Sequence, residues 1–191
     1  MNEIIKKNSS KFGLISGGIA IAYFLAAYLI DEALFVNMIL GIALWIAYIV
    51  FFILSVAQSK KALGGFISFK DAFSGFVLTA IIYSLLVTMF SIFLFNVMDP
   101  ELGLRLKEAS IEKSIEIWES IGLTDDQISE SLEKMEAMDT YSISNLGKSF
   151  LYSIIGYSIL GLIVAAIMKK DRPVFLDMEV DDFANDSESQ S

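Results

Sequence analysis

Residues 34–57 read LFVNMILGIALWIAYIVFFILSVA, with no Asp, Glu, Lys, Arg or His among them. A helix rises ~1.5 Å per residue, so about 20 such residues cross the ~30 Å hydrocarbon core of a bilayer. A helix on the surface of a soluble domain keeps a polar face, and this stretch has none. It is too long for a barrel strand and lacks the polar-in, apolar-out alternation of a barrel wall. In hydrocarbon the backbone polar groups need partners within the segment, which leaves the α-helix.

Three more runs share this character, at 12–30, 72–97 and 146–168. The only ionisable side chain in them is Lys148, at the edge of the last. Lys6, Lys7 and Lys11 precede the first run, as in a signal peptide, and Ala20-Ile21-Ala22 resembles a cleavage site. The run continues to Ile30, which fits an uncleaved anchor. The expected architecture is an all-α polytopic membrane protein with four transmembrane helices packed as a four-helix bundle. Residues 1–97 carry the first three spans, 98–145 an extracytoplasmic helical hairpin, 146–170 the fourth span, and 171–191 an acidic disordered cytoplasmic tail.

Charge sets the expected orientation. Lys6, Lys7 and Lys11 lie before the first span, Lys60, Lys61 and Lys70 between the second and third, and Lys169, Lys170 and Arg172 after the fourth. The turn between the first two spans holds Asp31 and Glu32 and no base. The positive-inside rule then places both termini in the cytoplasm. Arg105, Lys107, Lys113 and Lys134 fall in the long acidic segment between spans three and four, where charge counts for less.

That segment reads as two helices. Asp99 suits an N-cap and Pro100 a first helical position. Leu102, Leu106, Ile111, Ile115, Trp118 and Ile121 follow three-to-four spacing, and Gly122 suits a C-terminal cap. Thr124-Asp125-Asp126-Gln127 reads as a capping box for a second helix with Ile128, Leu132 and Met135 on one side. The stripe packs between the helices or, alternatively, Leu106, Ile111, Ile115, Trp118, Ile128 and Leu132 form a docking face for an envelope partner. The acids Asp125, Asp126, Glu130, Glu133 and Glu136 match no EF-hand spacing and read as a solvated face.

Spans two and three are joined by Gly64-Gly65-Phe66-Ile67-Ser68-Phe69-Lys70-Asp71-Ala72-Phe73. The glycines permit a sharp turn, Ser68 can cap the next helix, and Asp71 favours its positive end. Phe66 and Phe69 suit the membrane interface. Gly64, Gly65, Phe66, Ser68, Phe69 and Asp71 are therefore expected to form an interfacial re-entry motif. The flanking Walker pattern of a phosphate loop is missing. This stretch, a third span with an Asp-Pro exit, a charged helical insert and a fourth span ending in Lys169-Lys170 together resemble the bacterial domain-of-unknown-function family 4199. The likeness extends to about Lys170. It implies a small four-span bacterial membrane protein with no established activity and carries over no functional residues; with the charge reading, the expected location is the bacterial cytoplasmic membrane.

Within the spans, Gly13 and Gly17, then Gly156 and Gly161, read as helix-packing seams of the bundle or of a homodimer. Ser84, Thr88 and Ser91 fall on one face of span three, with Ser149 and Ser153 on span four. They are expected to supply interhelical hydrogen bonds, the alternative being a polar path. The spans offer no acid or His for a proton relay, and carriers of charged cargo usually place such groups there. The chain has neither Cys nor His and a net charge of −9, which removes thiolate and imidazole chemistry and argues against nucleic acid. No cofactor is expected, and no enzyme activity. The leading expectation is a non-catalytic accessory or interaction protein that uses the hairpin. The alternative is a small solute or lipid transporter or channel, as a homo-oligomer. Expected partners are membrane lipid and an envelope protein or a second copy.

Overall fold

The structure is a computed structural model, and it describes residues 1–171. The expected acidic tail and Arg172 lie outside the described residues. Among the described residues there are six α-helices: α1 (Glu3–Ile30), α2 (Met38–Ala62), α3 (Phe69–Phe93), α4 (Leu102–Ser120), α5 (Asp125–Ala137) and α6 (Ile143–Met168). A 3₁₀ turn, Glu32–Val36, joins α1 to α2, and α3 continues into a π-helical turn, Leu94–Met98. α1, α2, α3 with its π turn, and α6 are long and apolar enough to cross a membrane. Only 17% to 33% of their most apolar windows is buried inside the chain. Exposed Ile39, Ile46 and Val50 on α2 and Leu151, Ile155 and Ile159 on α6 give surfaces suited to lipid rather than water. These features mark a multi-pass membrane protein.

Local chemistry explains the boundaries. α1 begins nine residues before the apolar run at Phe12, capped by the Asn2 side chain, which accepts the Ile4 N–H at 2.9 Å. Its first turns are amphipathic: Ile5 and Ser9 are buried while Lys6 and Lys7 are exposed or nearly so. α2 starts at Met38 rather than Leu34 because Asn37 caps it, accepting from Leu40 N–H at 3.0 Å. Pro100 ends α3. It has no N–H to continue the ladder and drives Asp99 out of the helical region, to φ −145° and ψ 86°. Asp99 then caps the following turn, its carboxylate accepting the Glu101 and Leu102 N–H groups. The regular part of α4 begins at Leu102, two residues after Pro100.

α3 is the hub. α1 and α6 pack along it on either flank, and α2 lies against α1 and α3. Gly13 and Gly17 make the α1–α3 seam: a Cβ at Gly13 would stand 2.8 Å from Ile82 Cβ, and one at Gly17 2.6 Å from Leu86 Cδ1. Gly161 fits α6 onto α3 in the same way, with Phe76 Cδ1 at 3.0 Å. Gly156 is a correction. A Cβ there would meet nothing within 4 Å, so it is no seam within the chain.

Both chain ends of the bundle, the α2–α3 loop and the end of α6 gather at one pole. There Gly64 and Gly65 adopt φ +77° and +88°. Their N–H groups donate to Lys61 and Lys60 carbonyls, closing α2 in a Schellman arrangement. Ile67 exchanges two 2.9 Å backbone hydrogen bonds with Lys170, and Lys60 Nζ donates to the Met168 carbonyl at 2.7 Å. Ser68 accepts the Asp71 N–H and donates to the Asp71 carboxylate. The loop is thus a latch between α2, α3 and α6. Phe66 carries Lys170 Nζ 5.2 Å above its ring, and Phe69 stacks flat on Phe73.

Candidate functional site

The hydroxyl groups that tie the helices together are not the ones singled out by spacing. Thr79 Oγ1 donates toward Ser55 Oγ at 2.9 Å, Ser55 toward Ser9 at 3.5 Å, and Ser9 to the Gly75 carbonyl at 2.9 Å. This buried cluster joins α1, α2 and α3 near the glycine-loop pole. Ser84 differs. Its residue is 3% exposed and its hydroxyl is buried with no hydrogen-bond partner among the described residues. The expected role of Ser84 as interhelical glue is therefore corrected. A buried hydroxyl usually finds a partner, and one that does not calls for an explanation.

Ser84, Thr88 and Ser91 on α3 line a cleft of about 220 Å³ with Ser149, Phe150 and Ser153 on α6. Tyr83, Val87, Ser91 and Leu146 are shared with a larger cleft of about 410 Å³ against α2. The larger compartment is bounded by Tyr23 and Phe24 of α1, Gly41, Leu44, Trp45 and Tyr48 of α2, and Phe95 of the π turn. Such a volume, mostly apolar with a few convergent polar groups, is usual for a small-ligand site. Among the described residues, no charged side chain lines either compartment.

The floor is aromatic. Phe52 of α2 meets Phe76, Tyr83 and Tyr157 with ring centroids 5.2–5.6 Å apart. Tyr48 lies 4.8 Å from Tyr83. The Phe52–Tyr157 contact brings α2 and α6 together near mid-height, and the Lys60 hydrogen bond joins them again at the pole. Toward the insert the two helices leave a gap. Gly41 and half-exposed Trp45 line the larger compartment here, and Trp45 also lines an adjoining pocket with Gly156, Ser153 and Tyr157; a Cβ at Gly41 or Gly156 would meet nothing within 4 Å.

The roof comes from the insert. Leu102 and Leu106 of α4 are buried with Leu94 and Phe95, and Phe24, Phe35 and Tyr141 pack on them. Leu106 is 1% exposed and lines the larger compartment, which takes it out of any docking face. Ile128 is also buried, whereas Ile111, Ile115, Trp118 and Leu132 are half-buried. Tyr141 stacks on Phe95 with centroids 4.4 Å apart, and the Asn96 side-chain amide donates to its carbonyl at 3.2 Å.

An ion cluster fastens this roof. Arg105 Nε and Nη2 donate to the two Glu32 carboxylate oxygens at 3.0 and 2.7 Å, and Nη2 also to Asp99 at 2.8 Å. The Arg105 hydrogen bond holds the Asp99 carboxyl below its ordinary range, against the opposing effect of desolvation. Further out, the insert is looser. α5 meets only part of α4, and Gln127 Oε1 accepts the Thr124 N–H at 3.0 Å, closing the capping box expected there.

Sequence spacing missed the tyrosines. Each span carries at least one, and Tyr23, Tyr48, Tyr83 and Tyr157 converge on the cleft. One amphipathic ring per span was the available signal. Comparison with known proteins gives a family match over residues 11–170, to the family described as "Protein of unknown function (DUF4199)". No curated protein and no solved structure matched the chain.

Proposed function

The chain belongs to the DUF4199 family, and from the geometry of its cleft we propose that it is a non-catalytic membrane protein that takes up a lipid-like amphiphile sideways between α2 and α6. The carrying observation is the gap bordered by Gly41, Trp45 and Gly156, above an aromatic floor and under a roof supplied by α4. An occupant arriving from the bilayer needs no charged path across the membrane. Lys6, Lys7, Lys11, Lys60, Lys61, Lys70, Lys169 and Lys170 lie toward the glycine-loop pole, which supports a bacterial cytoplasmic membrane with both termini cytoplasmic and the insert outside.

The test uses a photoactivatable phenylalanine analogue at Gly156 in native membranes. An adduct of lipid mass supports the reading. Labelling confined to protein opposes it.

A second reading, an accessory protein that docks a partner through the insert, is favoured by the exposed side chains of Ile117 and Ile121 beside half-buried Trp118. Replacing both isoleucines by Glu then abolishes a protein crosslink made by the insert and leaves cleft labelling intact. An unchanged crosslink counts against that role.

A further inference from the structure

We infer that the cleft selects an uncharged amphiphile, whose hydroxyl or carbonyl head is held at mid-depth by Ser84 and whose tail fills the aromatic compartment. This rests on the lipid-uptake reading above and adds the chemistry of the head.

The first support is the idle hydroxyl. Of the buried serines and threonines, Ser9, Ser16, Ser55, Ser59 and Thr79 each make a side-chain hydrogen bond within the chain, and the other two, Ser84 and Ser91, line the smaller compartment. Ser84 alone has a fully buried polar side-chain atom without a partner among the described residues. It lines the smaller compartment beside Thr88 and Ser91, which gives an oxygen-bearing ligand a donor. Ser153 already donates to the Phe150 carbonyl at 2.7 Å, so its free capacity is as an acceptor. A hydroxyl or carbonyl can use this set.

Depth and charge exclude the alternatives. Ser84 stands roughly midway between Phe69 and Met98, so about 20 Å of helix separates it from either end. A phosphate head there would lie far from water and opposite no base, since no Lys or Arg lines either compartment. An ammonium head would meet no acid. A neutral head incurs neither penalty. The two compartments, about 220 and 410 Å³, share Tyr83, Val87, Ser91 and Leu146. A head can therefore sit in the hydroxyl-lined part while its chain passes among Tyr48, Trp45 and Phe95.

Trp45 reports occupancy. The chain has two tryptophans, so Trp118→Phe in the insert leaves Trp45 as the sole tryptophan, excited at the red edge where the seven tyrosines do not absorb. The full chain is reconstituted in phosphatidylcholine vesicles. It is titrated with three quenchers: diacylglycerol with brominated chains, phosphatidylglycerol with the same chains, and a short-chain quinone. The expected result is saturable quenching by at least one neutral probe at about tenfold lower mole fraction than by phosphatidylglycerol. Ser84→Ala reduces that preference about fivefold, in proportion to one lost hydrogen bond. Ser84→Thr keeps the hydroxyl and retains most of it, which separates a lost donor from a damaged fold. Saturable quenching without head-group preference, or a preference unmoved by Ser84→Ala, overturns the neutral-head inference and leaves lipid uptake standing. Quenching that rises linearly with all three probes overturns lipid uptake itself.

Discussion

Phe52 and Tyr157 meet edge to face, centroids 5.2 Å apart and planes at 87°, and this contact joins α2 to α6 below the cleft. Phe52 is fully buried and touches Phe76 and Tyr83 as well. Truncation removes packing on every side. Phe52→Ala is expected to lower stability by about 3 kcal/mol, read by denaturant titration in mixed micelles. A loss within ~0.5 kcal/mol would show that α2 and α6 are held by other contacts.

Two neighbouring glycines of α1 should respond in opposite directions. Gly13→Ala forces a Cβ to within 2.8 Å of Ile82 Cβ and 3.0 Å of the Thr79 carbonyl, neither of which is a flexible end. Destabilisation of about 1–3 kcal/mol is expected. At Gly18 nothing lies within 4 Å, and Gly18→Ala should stabilise by up to about 1 kcal/mol through helix propensity. Equal effects at the two sites in the same micelle assay would contradict the α1–α3 seam.

The Arg105 cluster predicts pH dependence in the roof. The Asp99 carboxyl is held below its ordinary pKa of about 3.9. A depressed carboxylate contributes stability that is present above the ordinary value and lost as pH falls through the lower folded one. Protection of the first turns of α4 against hydrogen exchange, taken relative to the intrinsic rate at each pH, should therefore be high at neutral pH and fall below about pH 4. Arg105→Ala should give fast exchange at both. The groups are exposed, so high salt should weaken the effect as well. Exchange that ignores pH, salt and Arg105 alike would remove the cluster from any role in fastening the insert.

At the opposite pole, Gly65 holds φ +88° with open space where a Cβ would stand. Backbone strain alone is then at issue. Gly65→Ala should cost about 1 kcal/mol and Gly65→Asn less, because Asn tolerates the left-handed region better. Identical stabilities for Ala, Asn and the parent, measured by thermal unfolding in detergent, would rule out the left-handed backbone at Gly65.

The four spans were legible because length and uninterrupted apolar character are local properties of sequence. The same holds for the Ser68 and Gly122 boundaries, with Gly122 at φ +79° closing α4 where the spacing ends, whereas the Asn2 and Asn37 caps that set the starts of α1 and α2 went unread. Partners across the bundle were not legible. Gly13, Gly17 and Gly161 shared one pattern with Gly156, and only tertiary packing separates the first three from the last. Spacing singled out Ser84 as a hydrogen-bonding residue and passed over Thr79 in the same apolar helix. Thr79 faces Ser55 and Ser84 faces the cleft, which depends on where α2 and α6 diverge. Leu106 continued the insert's apolar stripe, and its burial under Phe95 and Tyr141 follows from the turn that Pro100 imposes.

Whether the cleft carries a lipid is most directly read by native mass spectrometry of the chain extracted in mild detergent, alongside Gly156→Leu. A Cβ at that position meets nothing within 4 Å, and Gly156 lines a pocket with Trp45, Ser153 and Tyr157, three residues that also line the cleft. The account predicts a single lipid-mass adduct on the parent chain that is lost from the variant, with the unfolding of the two otherwise alike. An adduct of equal occupancy on both, or none on the parent, would contradict it.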